Sequence, residues 1–196
     1  MIDFEQGKKY FREGLSGRTG LVARCVNMLV RPADEWESIR SENPSVERVV
    51  FGVLCILALI PAVGRMPGES RFIPAFLTAL TIYLALVGSI SAAAWSVSRI
   101  AVRFRLEEDL ARVFQWLVFA WIPLFIGGGF KYMPYLGWIE IAGWIYALYL
   151  LYLGSGILLK APESKRLALV GLTVLIWAVF NALMATAVGN IIYLFR

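Results

Sequence analysis

The chain has 196 residues, of which 59% are hydrophobic and only 17% are charged. A soluble domain carries about 25% charged residues, so a water-soluble fold of this size is excluded and the chain belongs in lipid. The formal net charge is +5, but the basic residues are scattered between apolar runs instead of gathered in a patch, which sets nucleic acid aside.

Residues 1–20 contain glycines 7, 14, 17 and 20 and no apolar core. They read as a flexible segment, not a secretory signal peptide, and targeting falls to the first span. In residues 21–30, Leu21, Val22, Cys25, Val26, Leu29 and Val30 share one helical stripe, and Arg24, Asn27 and Arg31 lie opposite. This is the spacing of an amphipathic helix lying in a membrane interface. Pro32 interrupts it and suits the first position of a second short helix, with Asp34 and Glu35 at its positive end. Trp36 is placed at headgroup depth as a surface anchor, with Leu29 and Ile39 as its apolar companions. The acids Asp34, Glu35 and Glu37 are expected to form a solvated face. Asn43 and Pro44 then end this 21–45 surface region.

Five apolar runs follow, over about 47–65, 73–98, 112–130, 135–159 and 167–194. The fold expected for 46–196 is an all-α bundle of five membrane spans with short amphipathic helices at the cytoplasmic surface. The first run has 16 residues between Arg48 and Arg65, or roughly 24 Å at ~1.5 Å per residue. It is read as a full span with snorkelling arginines, the alternative being a re-entrant segment. Of the 19 Lys and Arg residues, fifteen fall in the N-terminal segment, the second connection and the fourth, and four fall on the other side. That bias places the N-terminus in the cytoplasm and the C-terminus across the membrane, periplasmic or extracellular.

Within the spans, Glu140 is the candidate functional carboxylate, with Lys131 as a partner across the intervening turn. Pro123, followed by Gly127, Gly128 and Gly129, marks a stretch of the third span that could unwind, as broken helices do in transporters. Pro61 and Pro74 are further helix-perturbing positions. Small residues line the second span (Ala85, Gly88, Ser89, Ala92, Ala93, Ser96) and the fifth (Ala178, Ala182, Ala185, Thr186, Gly189), which suits close packing within the chain, between copies, or with another membrane protein. Asn181 is expected to hydrogen-bond a neighbouring helix. Histidine is absent, Cys25 and Cys55 read as small apolar side chains, and no catalytic or nucleotide motif is present. No catalytic residue, metal or cofactor is expected, and no enzyme.

The segment NMLVRPADEWESI and the longer FAWIPLFIGGGFKYMPYLGWIEIAGWIYALYLLYLGSGILLKAPESKR carry a resemblance. Pro123, the Pro134–Gly137 turn, the tyrosines Tyr146, Tyr149 and Tyr152 leading to Gly154, and the Pro162–Lys165–Arg166 loop together resemble the Ypt-interacting protein (Yip) family of five-span membrane proteins, in its bacterial branch. The resemblance covers roughly residues 21–190. It implies the five-span topology and, for the bacterial branch, the cell inner membrane. Eukaryotic members are linked to Rab-type GTPases and vesicle traffic. This chain lacks their long polar cytosolic region, so that partner is not carried over. Two functions stay open: a non-enzymatic membrane organiser or partner-recruiting protein, and a small transporter or channel, as a homo-oligomer or alone, using the third span and Glu140.

Overall fold

A computed structural model describes residues 20–42, 45–64, 72–101, 109–131, 133 and 135–193. The expected flexible segment up to residue 19, the Asn43–Pro44 break, Arg65, Arg71, Arg103, Arg105, Pro134 and Arg196 lie outside the described residues. Two short helices come first, α1 (Leu21–Val30) and α2 (Pro32–Arg40). Five helices long and apolar enough to cross a membrane follow: Val46–Gly64, Phe72–Ala101, Leu110–Gly129, Trp138–Ile157 and Glu163–Asn190.

The first span is 19 residues long, roughly 28 Å at ~1.5 Å per residue. It begins at Val46, so Glu47 and Arg48 form its first turn instead of fencing it off. Ser45 caps it, its side chain accepting the Arg48 backbone N–H at 3.3 Å. Val50–Leu54 is a π-helical stretch, seven residues before Pro61, that the apolar pattern does not announce. Such insertions re-phase a helix face within a turn.

The third span is the axis of the bundle. Some 78% of its apolar window is buried, against 22–39% in the other four. Its sequence gives the reason: between Leu110 and Gly129 the only polar side chains apart from the indoles are Arg112 in the first turn and the buried Gln115, too few to make a polar face. Asp109 caps it, accepting the Ala111 N–H at 3.0 Å.

Pro123 does not unwind this span. The helix pauses for one residue at Trp121, and the backbone hydrogen bonds Trp121 N–H to Leu117 O (3.1 Å) and Phe125 N–H to Trp121 O (3.0 Å) carry it across. The glycines remain helical because neighbouring backbones occupy the space a side chain would need. A β-carbon at Gly127 would lie 2.9 Å from the Ile139 carbonyl oxygen of the fourth span. One at Gly128 would lie 2.9 Å from Pro61 Cβ of the first. Reciprocally, one at Gly143 would meet the Pro123 carbonyl oxygen at 2.6 Å. The expectation of a broken third span is therefore corrected: the proline and the glycines let spans one and four close on span three.

The second and fifth spans pack against each other along most of their length. The buried small residues Ala85, Ser89 and Ala93 permit this. Gly88 faces the Met184 side chain, and Asn181 Nδ2 donates to Ser89 Oγ at 3.3 Å. On the fifth span Ala178, Ala182, Ala185 and Thr186 are exposed instead.

Candidate functional site

Two regions gather the polar groups of the described residues. The first is where α1 and α2 dock on the third and fourth spans. α1 packs inward through Leu21, Met28 and Arg24, while Asn27 and Arg31 stay exposed. Arg24 pairs with Glu42 and lies 3.8 Å from Glu35, and Asn27 Nδ2 donates to Glu35 Oε2 at 3.0 Å. The Arg24 guanidinium also stands over the Phe119 ring of the third span, 5.7 Å from its centroid. A guanidinium can take a carboxylate on its edge and an aromatic ring on its face, which a solvated surface arginine would not need. Glu35 is 6% exposed. The expected solvated acidic face therefore reduces to Asp34 and Glu37, and Glu35 is a buried partner.

Trp36 is also corrected. It and Ile39 are fully buried in the protein, so neither is free to insert among headgroups. The indole of Trp36 packs where Gly154 has no side chain: a β-carbon there would lie 2.7 Å from Trp36 Cζ2 and 2.9 Å from Trp116 Cδ1. Trp36 thus anchors α2 to the protein, not the protein to the bilayer. The reason is the glycine on the fourth span, which opens a slot wide enough for an indole. Further ties are Arg112 donating to the Arg40 carbonyl (2.9 Å), Trp116 Nε1 donating to the Leu151 carbonyl (2.9 Å), and Tyr146 Oη donating to the Leu29 carbonyl (2.9 Å).

Leu21 is buried against the protein, and the rest of the apolar stripe of α1 is left outside. Val22 and Val30 are each 70% exposed, and Val26 and Leu29 are exposed too. Cys25 is half-buried between the two faces; burial first, and then the Glu35 carboxylate, push its thiol from 9.0 up to about 11.

The second region lies at the other end of the third span. A partly open cavity of about 200 Å³ is lined by residues of all five spans: Pro61; Ile82, Ala85, Leu86 and Ile90; Trp121, Leu124, Phe125 and Gly128; Glu140 and Trp144; Trp177, Asn181 and Ala185. Three of these are tryptophans in mutual contact. The rings of Trp121 and Trp177 have centroids 4.7 Å apart, Trp144 and Trp177 5.2 Å, and Trp121 and Trp144 5.4 Å. Nε1 of Trp121 and Nε1 of Trp177 are buried and have no acceptor. Glu140 accepts from Lys131 Nζ, 3.1 Å from each carboxylate oxygen. The Glu140 side chain is 19% exposed and that of Lys131 38%.

Of the residues singled out from the sequence, Glu140, Asn181 and Gly128 meet at this cavity, and Lys131 reaches it through Glu140. Pro123 and Gly127 stand behind it, at the contact with the fourth span. Gly137 precedes that span's first turn, Tyr149 and Tyr152 are exposed along it, and Gly154 belongs to the Trp36 slot. The tryptophan trio was missed. Each indole alone is an ordinary apolar residue of a span, and one sequence does not say which faces meet.

A model of the Yip1 domain matches residues 26–186. The chain belongs to this family. No curated protein and no solved structure matches it. The Yip1 match spans both regions, from within α1 to beyond Asn181, so the surface helix and the cavity fall inside one family domain. It is an integral membrane protein of a family that is in general non-catalytic.

Proposed function

We propose that this Yip-family protein is a non-enzymatic membrane organiser that acts on the bilayer through α1. The observation that carries this reading is the orientation of that helix. Leu21, Met28 and Arg24 face the protein, Arg24 being held by Glu35, Glu42 and span three, and Val22, Val26, Leu29 and Val30 are left unpacked. An amphipathic helix fixed this way displaces lipid in one leaflet only, and asymmetric insertion bends or sorts a membrane. The fifteen-to-four bias of basic residues supports a cytoplasmic α1 with the C-terminus across the membrane, and the resemblance to the bacterial branch supports an inner membrane. Basic connections on that side attract anionic headgroups at about 1 kcal/mol per residue. The exposed small face of Ala178, Ala182 and Thr186 on the fifth span offers a second copy, or another membrane protein, a close-packing surface. The test is reconstitution into liposomes containing anionic lipid, with vesicle shape imaged. Val26→Lys with Leu29→Lys removes remodelling and Glu140→Gln leaves it intact; remodelling that survives the lysines sinks the proposal.

The cavity favours a second reading, a small transporter, because all five spans contribute to it and it holds the carboxylate Glu140. Solute flux into the same liposomes, lost in Glu140→Gln, would replace the first reading with this one.

A further inference from the structure

We infer that the five-span cavity is a binding site for a small organic ammonium group bearing an oxygen, of the choline or ethanolamine class. The inference uses the cavity of the second reading but not transport, and binding without flux leaves it standing.

Three observations converge. The first is size. At about 200 Å³ the cavity exceeds the ~150 Å³ of an engineered apolar cavity that holds benzene, so it accommodates a ligand of comparable bulk. The second is charge chemistry. Indole rings attract cations over their faces more strongly than other aromatic side chains do, and the three indoles, packed on one another, all line this cavity, so an ammonium suits the side of the cluster that faces it. Glu140, on the same wall, supplies the counter-charge. Its present partner, Lys131, is itself an ammonium, bound 3.1 Å away by a side chain exposed enough to swing into water. A ligand ammonium replaces one cation by another and leaves no uncompensated carboxylate inside the bundle. The third is the pair of buried indole N–H groups, on Trp121 and Trp177, that have no acceptor. Buried donors are satisfied in folded proteins by protein, water or ligand, and a ligand in this partly open cavity can supply the acceptor. An oxygen next to the ammonium meets that need.

The same ammonium chemistry occurs in a free solute and in a lipid headgroup, and the experiment separates them. The full-length protein is purified in a maltoside detergent, which has no ammonium group. It is titrated with choline, with 3,3-dimethylbutan-1-ol (the uncharged isostere of choline) and with dihexanoyl phosphatidylcholine, reading tryptophan fluorescence and calorimetry together. Saturation by choline, at least tenfold tighter than by its isostere, is the expected result and assigns the site to a free solute. Saturation by the short-chain lipid alone assigns it to a headgroup. Glu140→Gln weakens either ligand at least tenfold. Lys131→Gln tightens it, because the competing cation is gone; a merely structural ion pair would give two losses. No saturation by choline or the lipid, equal affinity for the neutral isostere, or weakening in Lys131→Gln overturns the inference.

Discussion

The two polar regions of this bundle differ in how their charged groups are paired. At the α1–α2 end, Arg24 meets two carboxylates and a ring, Glu35 meets Arg24 and Asn27, and Arg112 and Tyr146 each close on a backbone carbonyl, although the buried Trp36 indole N–H has no acceptor there either. At the cavity end, two indole N–H groups have no acceptor, and Glu140 is held by a lysine with a half-exposed stem. A matched cluster fixes a conformation, and an unmatched one has capacity left for something else. The first region holds α1 and α2 on the third and fourth spans, and the second is the one proposed to bind.

Substitutions can break that contrast. The largest effect is expected for Trp36→Ala, which empties the slot between Gly154 and Trp116: a loss of about 4 kcal/mol, read from reversible unfolding in mixed micelles. A loss under about 1 kcal/mol would mean that α2 is not held by this indole. Glu35→Ala comes next, at about 2 to 3 kcal/mol, because Arg24 keeps Glu42 but loses its most buried partner. Glu140→Gln is expected to change stability by less than about 1 kcal/mol, since its pair with Lys131 is partly solvated. If it costs as much as Glu35→Ala, the two regions are not different in kind.

The smallest effect sharpens the contrast chemically. A Cys25 thiol at about 11 instead of 9.0 is neutral at pH 7 and reacts with maleimide about a hundredfold more slowly than a free cysteine. Because the folded value is raised, its contribution to stability is complete below pH 9 and is lost as pH rises towards about 11. Glu35→Gln lowers the folded value and speeds the reaction at pH 8 several-fold; an unchanged rate would separate Cys25 from the Glu35 cluster.

The helical class, the five spans and the stripe of α1 were legible because each is a periodicity within one segment. What Trp36 touches was not, because its slot is made by the absence of a side chain at Gly154, 118 positions away. The three glycines after Pro123 suggested unwinding, since composition alone does not distinguish a loose backbone from a tightly crossed one. Glu140 and Asn181 stood out as polar residues in apolar runs, whereas the indoles that complete their cavity come from three different spans and look unremarkable in each.

The account rests on the stripe of α1 lying in lipid. Spin labels at single cysteines replacing Val22, Val26 or Val30, in a background lacking Cys25 and Cys55, report this through relaxation by oxygen and by a water-soluble nickel chelate. The account predicts that all three are reached by oxygen and shielded from nickel, at the level of the headgroup–acyl boundary, while a label replacing Asp34 shows the opposite. Labels at 22, 26 and 30 that nickel reaches as freely as at 34 would put α1 in water and contradict the account.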